Sequence, residues 1–220
     1  MSTPGPTPTR FVPPPDTRRE DRPWPLLTWP VAPGTRLQGR SVTVRPLVPA
    51  DDAPALYAAL DDDRVWRHLA GRPSTPAALL QDLTARGELA GWQQWLVTRG
   101  GEVVGMTSYL DVVPGDARLE IGMTAYAPRV WGTTVNPEVK LLLLEHAFEI
   151  LGAGRVQLKT DVRNTRSQQA IARLGARHEG VLRRYQRRDD GTVRDTVLFA
   201  VTAEDWPGVR RGLVDRLAGG

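Results

Sequence analysis

The sequence predicts an α+β protein, in which a mixed and mostly antiparallel β-sheet is flanked by helices. Three strand-like runs follow one another between residues 94 and 126, with only short turns between them. A long apolar helix comes next, followed by a strand, a helix and two final strands. A doubly wound Rossmann sheet would instead alternate strands and helices throughout, so this order favours the mixed sheet.

Composition limits the chemistry of the protein. The chain has 220 residues, of which 40% are hydrophobic and 25% are charged, as is usual for a globular protein with one well-buried domain. Cysteine is absent, which excludes disulfides, thiolate–metal sites and a cysteine nucleophile. The histidines His68, His146 and His178 show no metal-ligand spacing, so no metal is expected.

Hydropathy and net charge indicate the expected cellular location and the classes of binding partner. The longest apolar run, Leu141–Leu144, is far shorter than the roughly 20 residues of a membrane span. The first residues also lack the apolar core of a signal sequence. We therefore expect a cytoplasmic protein with no membrane partner. The net charge of +4 indicates either an arginine-biased surface or an anionic partner, such as a phosphorylated cofactor or nucleic acid.

Two regions are predicted along the chain: a proline-rich N-terminal arm at residues 1–36 and a single domain at residues 37–220. The prolines that crowd the arm favour extended, non-packing backbone. Trp24 and Trp29 leave two alternatives open, because a free tail gains nothing from two exposed indoles. The arm is either loosely attached or docked on the domain or on a partner.

The domain begins with a predicted strand and two helical regions. In the strand at residues 41–47, Val42 and Val44 lie on one face. The motif Pro49-Ala50-Asp51-Asp52 then starts a helix. A second helical region covers residues 75–89.

A three-strand meander follows, with strands at 94–98, 103–110 and 118–126. The segment Arg99-Gly100-Gly101-Glu102 is typical of a hairpin turn. Pro114-Gly115-Asp116 marks the next turn.

The strongest helix signal covers Pro137–Leu151, where apolar residues form two stripes. One stripe contains Val139, Leu142, Leu143, Ala147, Ile150 and Leu151, and the other contains Leu141, Leu144 and Phe148. Such a helix is expected to be buried on two sides, so His146 within it is expected to be structural. Gly152 and Gly154 end the helix.

The last part of the domain contains a strand at 155–161, a short helix, strands at 177–187 and 193–202, and a final helix at 206–217. Asn164 caps the short helix and Gly175 ends it.

The loop Arg129–Asn136, which opens the apolar helix, is a candidate phosphate site. A loop of this kind presents backbone N–H groups at the positive end of the helix dipole, where phosphate oxygens bind. An ordinary helix-start loop is the alternative, because such short motifs are weakly specific.

Four motifs in order resemble the GNAT superfamily of acyl-CoA-dependent N-acetyltransferases. They are Glu120-Ile121-Gly122, Trp131-Gly132-Thr133 before the long helix, Asn164-x-x-Ser167 before Leu174-Gly175, and Glu179-Gly180-Val181-Leu182-Arg183. Residues 37–206 are most similar to the branch of ribosomal-protein alanine acetyltransferases, RimJ and RimL. The resemblance implies a GNAT-like fold with a splayed, mostly antiparallel sheet flanked by helices. It also implies transfer of an acetyl group from acetyl-CoA, the cosubstrate, to an amine.

The resemblance assigns the pyrophosphate of acetyl-CoA to the backbone amides of the loop. The positions are Arg129, which matches the start of the family pattern, and Trp131, Gly132, Thr133, Thr134, Val135 and Asn136. Thr134 stands where the family has glycine or alanine, so its side chain either crowds the phosphate or adds a hydrogen bond.

The resemblance also implies that pantetheine lies like an added strand in a gap beside the meander. The backbone of Met123, Thr124 and Ala125 would hold it, and one N–H there would polarise the thioester carbonyl. Asn164 matches the family asparagine near the pantetheine arm. Helix capping is its alternative role, and the two roles are compatible.

The implied reaction is direct attack of a free amine on the thioester in a ternary complex, which agrees with the absence of cysteine. Lysine titrates near about 10.4 but a chain-terminal amine near about 7.7 to 8.0, so a terminal amine needs little help from a base. Glu120 and, with weaker support, Asp161 are the candidate bases. Glu120 alternates with Leu119 and Ile121, so it faces either the cleft or the solvent.

The group that protonates the leaving thiolate is left open. Many members of the superfamily place a tyrosine seven residues after the asparagine, where this chain has Ile171. Ser167, Tyr185, a water or no group takes that role.

Two classes of function remain at this point. The first is an N-acetyltransferase that acts on a protein N-terminus, a polyamine or another small amine. The second is a GNAT-like module that binds acyl-CoA or RNA without turnover. Arg183, Arg184, Arg187 and Arg188 form either a solvated strand face or a surface that recruits an acidic substrate, a ribosomal protein or ribosomal RNA. The acceptor stays open, as does a homodimer.

Overall fold

The computed structural model describes residues 11–16 and 23–219, so residues 1–10 and 17–22 of the predicted arm lie outside the described residues. Eight strands form one sheet in the order β1-β2-β3-β4-β5-β6-β8-β7. The strands are β1 (Leu37–Gln38), β2 (Val42–Pro46), β3 (Gln93–Arg99), β4 (Glu102–Val113), β5 (Arg118–Tyr126), β6 (Arg155–Asp161), β7 (Arg177–Arg187) and β8 (Val193–Thr202).

Helices flank this sheet on both faces. They are α1 (Pro49–Leu60), α2 (Asp63–Trp66), α3 (Pro76–Gly87), α4 (Val135–Glu145), α5 (Thr165–Ala172) and α6 (Trp206–Ala218). The predicted mixed sheet is confirmed, since β5 and β6 are its parallel pair and the other neighbouring strands are antiparallel. None of the helices in the described ranges is long and apolar enough to cross a bilayer.

The sheet opens between β5 and β6. The two strands pair only over Arg118–Glu120 and Arg155–Gln157. Beyond that point, β5 continues along β4 to Tyr126, while β6 continues along β8 to Asp161. This confirms the splayed sheet, and it leaves residues 121–126 and 158–161 as two strand edges that border a gap.

Strand alternation divides the core into two clusters on opposite faces of the sheet. On β3, Trp95 and Val97 join the larger cluster, which also contains buried residues of α4 and α6. Leu96 joins the smaller cluster, together with buried residues of α1 and α3. The period of two along a strand produces this division.

The helix predicted at 137–151 ends differently from the prediction. After Glu145 the backbone forms a π-helical turn over His146–Ile150, in which the N–H of Leu151 donates to the carbonyl of His146 at 2.9 Å. The wider turn shifts the helical register. Ile150 is consequently 69% exposed, and its predicted place in the buried stripe is wrong.

His146 at the start of this turn is buried. It stacks on Tyr109 with ring centroids 5.9 Å apart, and its Nδ1 lies 3.2 Å from the Tyr109 hydroxyl. These contacts confirm the structural interpretation of this histidine.

Part of the proline-rich arm is docked. Leu27 and Val31 are buried in the larger core cluster. The backbone N–H of Thr28 donates to the carbonyl of Leu151 at 2.8 Å, and Trp24 Nε1 donates to the carbonyl of Gly152 at 3.3 Å. Of the two alternatives for the arm, residues 24–31 therefore follow the docked one.

Candidate active site

The loop between β5 and α4 presents free backbone donors at the start of the helix. The N–H groups of Trp131, Thr133 and Val135 are bonded within the loop. Those of Gly132, Thr134 and Asn136 have no hydrogen-bond partner within the described ranges. Three donors at the positive end of a helix form a place for a phosphate group.

Glycine is required at the tip of this loop. Gly132 has a φ of +75°, and a Cβ built on it would meet nothing within 4 Å. The left-handed backbone disfavours any other residue, whereas the open space above it leaves the neighbouring N–H groups accessible.

The side chains around the tip hold the loop in place. Arg129 Nη2 donates to the carbonyl of Val103 at 2.8 Å, and Trp131 Nε1 donates to the carbonyl of Tyr126 at 2.9 Å. Thr134 makes no side-chain cap hydrogen bond to the helix, so its hydroxyl remains available to a ligand.

A β-bulge shapes the strand edge beside the gap. Gly122 pairs with Ser108, and Ala125 pairs with Met106, so Met123 and Thr124 together oppose one residue of β4. Met123 has a φ of +46°. A bulge re-aims the backbone groups of a strand, and this one lies where β5 has already separated from β6.

A buried lysine supports the bulge from α4. Lys140 is 4% exposed, and its Nζ donates to Thr124 Oγ1 at 2.8 Å. The Thr124 hydroxyl also lies 2.8 Å from that of Thr107. Burial lowers the pKa of Lys140 to about 7, against the opposing attraction of Glu120. No sequence motif marks Lys140, which stands directly before a run of leucines in the apolar helix.

Glu120 lies in an ionic cluster at the base of the gap. Its carboxylate is 7% exposed, and its Oε2 lies 2.7 Å from Lys159 Nζ. Lys159 Nζ also donates to the Tyr185 hydroxyl at 2.9 Å. Burial raises the pKa of Glu120, while Lys159 opposes the increase. The solvent-facing alternative for Glu120 is therefore wrong, because the side chain is enclosed between strands.

Asp161 is unsuited to accept a proton. It is 3% exposed, and its two carboxylate oxygens accept hydrogen bonds from Arg188 at 2.7 and 3.0 Å. Burial acts to raise its pKa, but the hydrogen bonds from Arg188 and from the Arg163 N–H outweigh burial and lower it. Glu120 is thus the better candidate base.

The start of α5 places two further predicted residues. Asn164 Oδ1 accepts a hydrogen bond from the Ser167 N–H at 3.1 Å, so Asn164 caps the helix. The Ser167 hydroxyl has no hydrogen-bond partner among residues 11–16 and 23–219. Ile171 is buried in the larger core cluster, so no acid acts from that position.

Two cavities adjoin these residues. One of about 450 Å³ lies against the loop tip and is lined by Gly132, Thr133 and Thr134 and by the guanidinium-bearing residues Arg99 and Arg216. No local sequence pattern connects these two arginines with the loop, because Arg99 belongs to β3 and Arg216 to α6. No group of side chains that could hold a metal ion occurs in the described part of the chain.

The larger cavity, of about 770 Å³, is here called the arginine cleft. It lies between the α2 region, the start of α5 and the β7–β8 hairpin. Its lining residues are Arg64, Trp66, Arg67, His68, Leu69, Ala70, Trp131, Asp161, Arg163, Asn164, Thr165, Arg166, Gln186, Arg187, Arg188, Asp189, Asp190 and Arg194.

Comparison with known proteins gives a consistent result. A family model described as acetyltransferase (GNAT) domain matches residues 41–177. A protein from T. thermophilus, whose crystal structure carries the provisional name of an acetyltransferase, is 42% identical with a TM-score of 0.79, covering 86% of this chain and 100% of that chain. RimJ of Mycobacterium smegmatis, solved in complex with CoA-disulfide, is 26% identical with a TM-score of 0.68. The match covers 80% of this chain and 88% of the RimJ chain. The uncharacterized N-acetyltransferase YoaA of Bacillus subtilis (strain 168) is 26% identical over 156 residues, which are 68% of this chain and 87% of YoaA.

Proposed function

Because this chain belongs to the GNAT acetyltransferase family, we propose that it is a cytoplasmic, acetyl-CoA-dependent N-acetyltransferase. Its acceptor is a protein N-terminus or a small amine, which attacks directly within a ternary complex. The observation that carries the proposal is the gap between β5 and β6 next to a loop with three free N–H groups.

The residues at the gap fit acetyl-CoA. Gly132, Thr134 and Asn136 offer the N–H donors that a pyrophosphate requires, and Arg99 and Arg216 add positive charge beside them. The unpaired edge at Met123–Ala125 offers backbone groups to the pantetheine amides. When bound, acetyl-CoA supplies an acyl group activated as a thioester.

Glu120 is the proposed base. An amine attacks only in its uncharged form, so the ammonium of the acceptor must first lose a proton. Burial raises the pKa of the Glu120 carboxyl, which makes its carboxylate a stronger proton acceptor than an exposed one. Lys159, 2.7 Å away, opposes this increase because it favours the charged carboxylate.

Other residues would stabilise charge at the acyl carbon and at the leaving group. The backbone N–H groups at the Met123–Thr124 bulge are the proposed donors to the carbonyl oxygen. Ser167, whose hydroxyl is free of partners in the described ranges, is the proposed donor to the leaving sulfur. Tyr185 is the second candidate, because Lys159 links its hydroxyl to the Glu120 cluster.

Steady-state release of free thiol from acetyl-CoA tests the activity. We expect thiol release to be accelerated by at least one class of amine in a panel of peptides and small amines. Mass spectrometry should show the acceptor heavier by one acetyl group. If CoA binds with measurable heat but no amine accelerates thiol release, the alternative of a non-catalytic acyl-CoA-binding module replaces this proposal.

Substitution of Gly132 tests the cofactor site. Gly132→Trp should abolish CoA binding measured by calorimetry, because an indole at the loop tip covers the free N–H groups. The strained backbone should cost roughly 1–2 kcal/mol of stability, which leaves the domain folded by circular dichroism.

Gly34→Trp is the matched control for this substitution. Gly34 has a φ of +76° and the same open surroundings as Gly132, which has a φ of +75°. The control variant should therefore suffer similar backbone strain yet bind CoA normally. Unchanged CoA affinity in Gly132→Trp would remove the loop from the cofactor site.

A further inference from the structure

The arginine cleft carries a large excess of positive charge. Seven arginines and three aspartates line it. Five of these arginines are exposed and solvated, namely Arg64, Arg67, Arg163, Arg166 and Arg187. Their combined positive field attracts a partner of opposite charge.

The three aspartates are already engaged. Asp161 binds Arg188 through both carboxylate oxygens. Asp190 accepts hydrogen bonds from the N–H and hydroxyl groups of Thr192 at 2.8 and 2.6 Å. Asp189 accepts a hydrogen bond from the N–H of Gly71 at 2.7 Å. Three carboxylates against seven guanidinium groups leave the cleft with a net positive charge.

Five cleft arginines have no carboxylate partner within the described part of the chain: Arg67, Arg163, Arg166, Arg187 and Arg194. Arg194 is half-buried, and its side chain makes a single hydrogen bond, from Nε to Thr196 Oγ1 at 2.9 Å. A guanidinium in this condition has several N–H donors that a carboxylate would satisfy.

The cleft adjoins the proposed cofactor site, because Trp131 and Asn164 are among its lining residues. The hydrogen bond between Gly71 and Asp189 joins the loop after α2 to the β7–β8 hairpin, and Asp189 lines the cleft. Arg194, which also lines the cleft, acts to lower the pKa of the Glu120 carboxyl. The Arg166 guanidinium lies 4.1 Å from the ring centroid of Trp131, so the cleft shares a wall with the cofactor loop.

This charge distribution selects among amine acceptors. A polyamine or a lysine-rich tail would bring further positive charge against the arginines and would be repelled. An acceptor with carboxylates near its amine would be attracted. The positive surroundings would also lower the pKa of the bound amine, because they disfavour its charged form.

We propose that the arginine cleft binds the acceptor as an acidic peptide, whose N-terminal amine is followed within a few residues by aspartate or glutamate. This inference rests on the proposed acetyltransferase function. A peptide fits better than one small acid, because the free guanidinium groups come from separate elements along a cleft of about 770 Å³.

Matched peptides test the proposal. Three peptides share one N-terminal residue and differ at positions two to four, which are all acidic, all amide-bearing or all lysine. We expect kcat/KM for the acidic peptide to exceed that for the amide peptide by about tenfold at low salt, with the lysine peptide lowest. The preference should weaken as salt is raised to about 0.5 M, since the charges lie at an open cleft.

Substitutions on β7 test whether the preference for acidic peptides depends on the arginine cleft. Arg187→Glu should raise KM for the acidic peptide about tenfold, improve the lysine peptide and leave CoA affinity by calorimetry unchanged. Arg183→Glu is the matched control, because Arg183 is exposed on the same strand but does not line the cleft. It should leave the peptide preference unaltered.

Each result has a distinct meaning. Equal kcat/KM for the three peptides, or an acidic preference that Arg187→Glu does not change, would overturn the acidic-acceptor proposal while the enzyme remains an acetyltransferase. Tight, salt-sensitive binding of an RNA oligonucleotide that Arg187→Glu abolishes, with no peptide preference, would also overturn it. Failure of every amine to release thiol would instead count against the proposed function itself.

Discussion

Replacing Glu120 with glutamine should lower kcat about 100-fold while CoA affinity stays within about twofold. The amide keeps the size of the side chain but cannot accept a proton from the acceptor. CoA binding should persist, because Glu120 lies on the sheet beside Lys159 rather than on the phosphate loop. The first measurement is therefore kcat with a responsive amine, beside calorimetry with CoA.

The pH dependence separates a base from a merely structural carboxylate. In the wild type, kcat/KM should rise with pH as both Glu120 and the acceptor amine lose their protons. In Glu120→Gln, only the rise due to the amine should remain. Glu179→Gln is the control. Like Glu120, Glu179 is a strand glutamate in an ion pair, in this case with Arg155, but it lies away from the gap. A pH–rate profile identical to that of the wild type would exclude Glu120 as the base.

Replacing Lys140 with methionine should stabilise the protein at pH 7 and below. In the folded state the pKa of Lys140 is about 7 against its ordinary 10.5, because burial disfavours the ammonium. Between these two values the unfolded chain holds a proton that the folded protein has released, so the wild type gains stability as pH rises. At about 1.36 kcal/mol per pKa unit, the shift from 10.5 to about 7 corresponds to a gain of roughly 5 kcal/mol in total.

Methionine carries no proton to release, so the variant should lack this gain. The free energy of unfolding of Lys140→Met should exceed that of the wild type most at pH 6 to 7, and the difference should shrink toward pH 10. Lys159→Met provides a contrast, because it leaves the buried Glu120 carboxylate without its partner and should destabilise the fold. Denaturant titrations across this pH range measure both. A constant difference between Lys140→Met and wild type would show that Lys140 stays protonated in the fold.

Most of the fold is predictable from sequence, because local patterns determine it. Alternating apolar residues mark the strands, and Asn164 caps α5 as its position indicates. The π-helical turn at 146–150 is an exception, since a shift from four-residue to five-residue hydrogen bonding leaves no periodic signal. The sequence pattern therefore places Ile150 in a buried apolar stripe, whereas the structure exposes it at the surface.

The site is only partly predictable. Alternation along β5 indicates that Glu120 faces away from the apolar side, but not that Lys159 covers it from β6. The pairing of Asp161 with Arg188 joins residues 27 positions apart, so tertiary folding alone creates it. From sequence alone, a lysine such as Lys140 is expected to face the solvent. In the structure it is buried, and its hydrogen-bond partner is Thr124 in the bulge of β5.

The short contact between β5 and β6 has a consequence for how the molecule loosens. Three residue pairs join the strands on either side of the gap, so the half that contains β6, β7 and β8 depends on side-chain packing to stay aligned with the rest. Local opening is easiest where few contacts cross a boundary. A ligand that contacts both edges would disfavour this local opening and would therefore slow amide hydrogen exchange along 121–126 and 158–161.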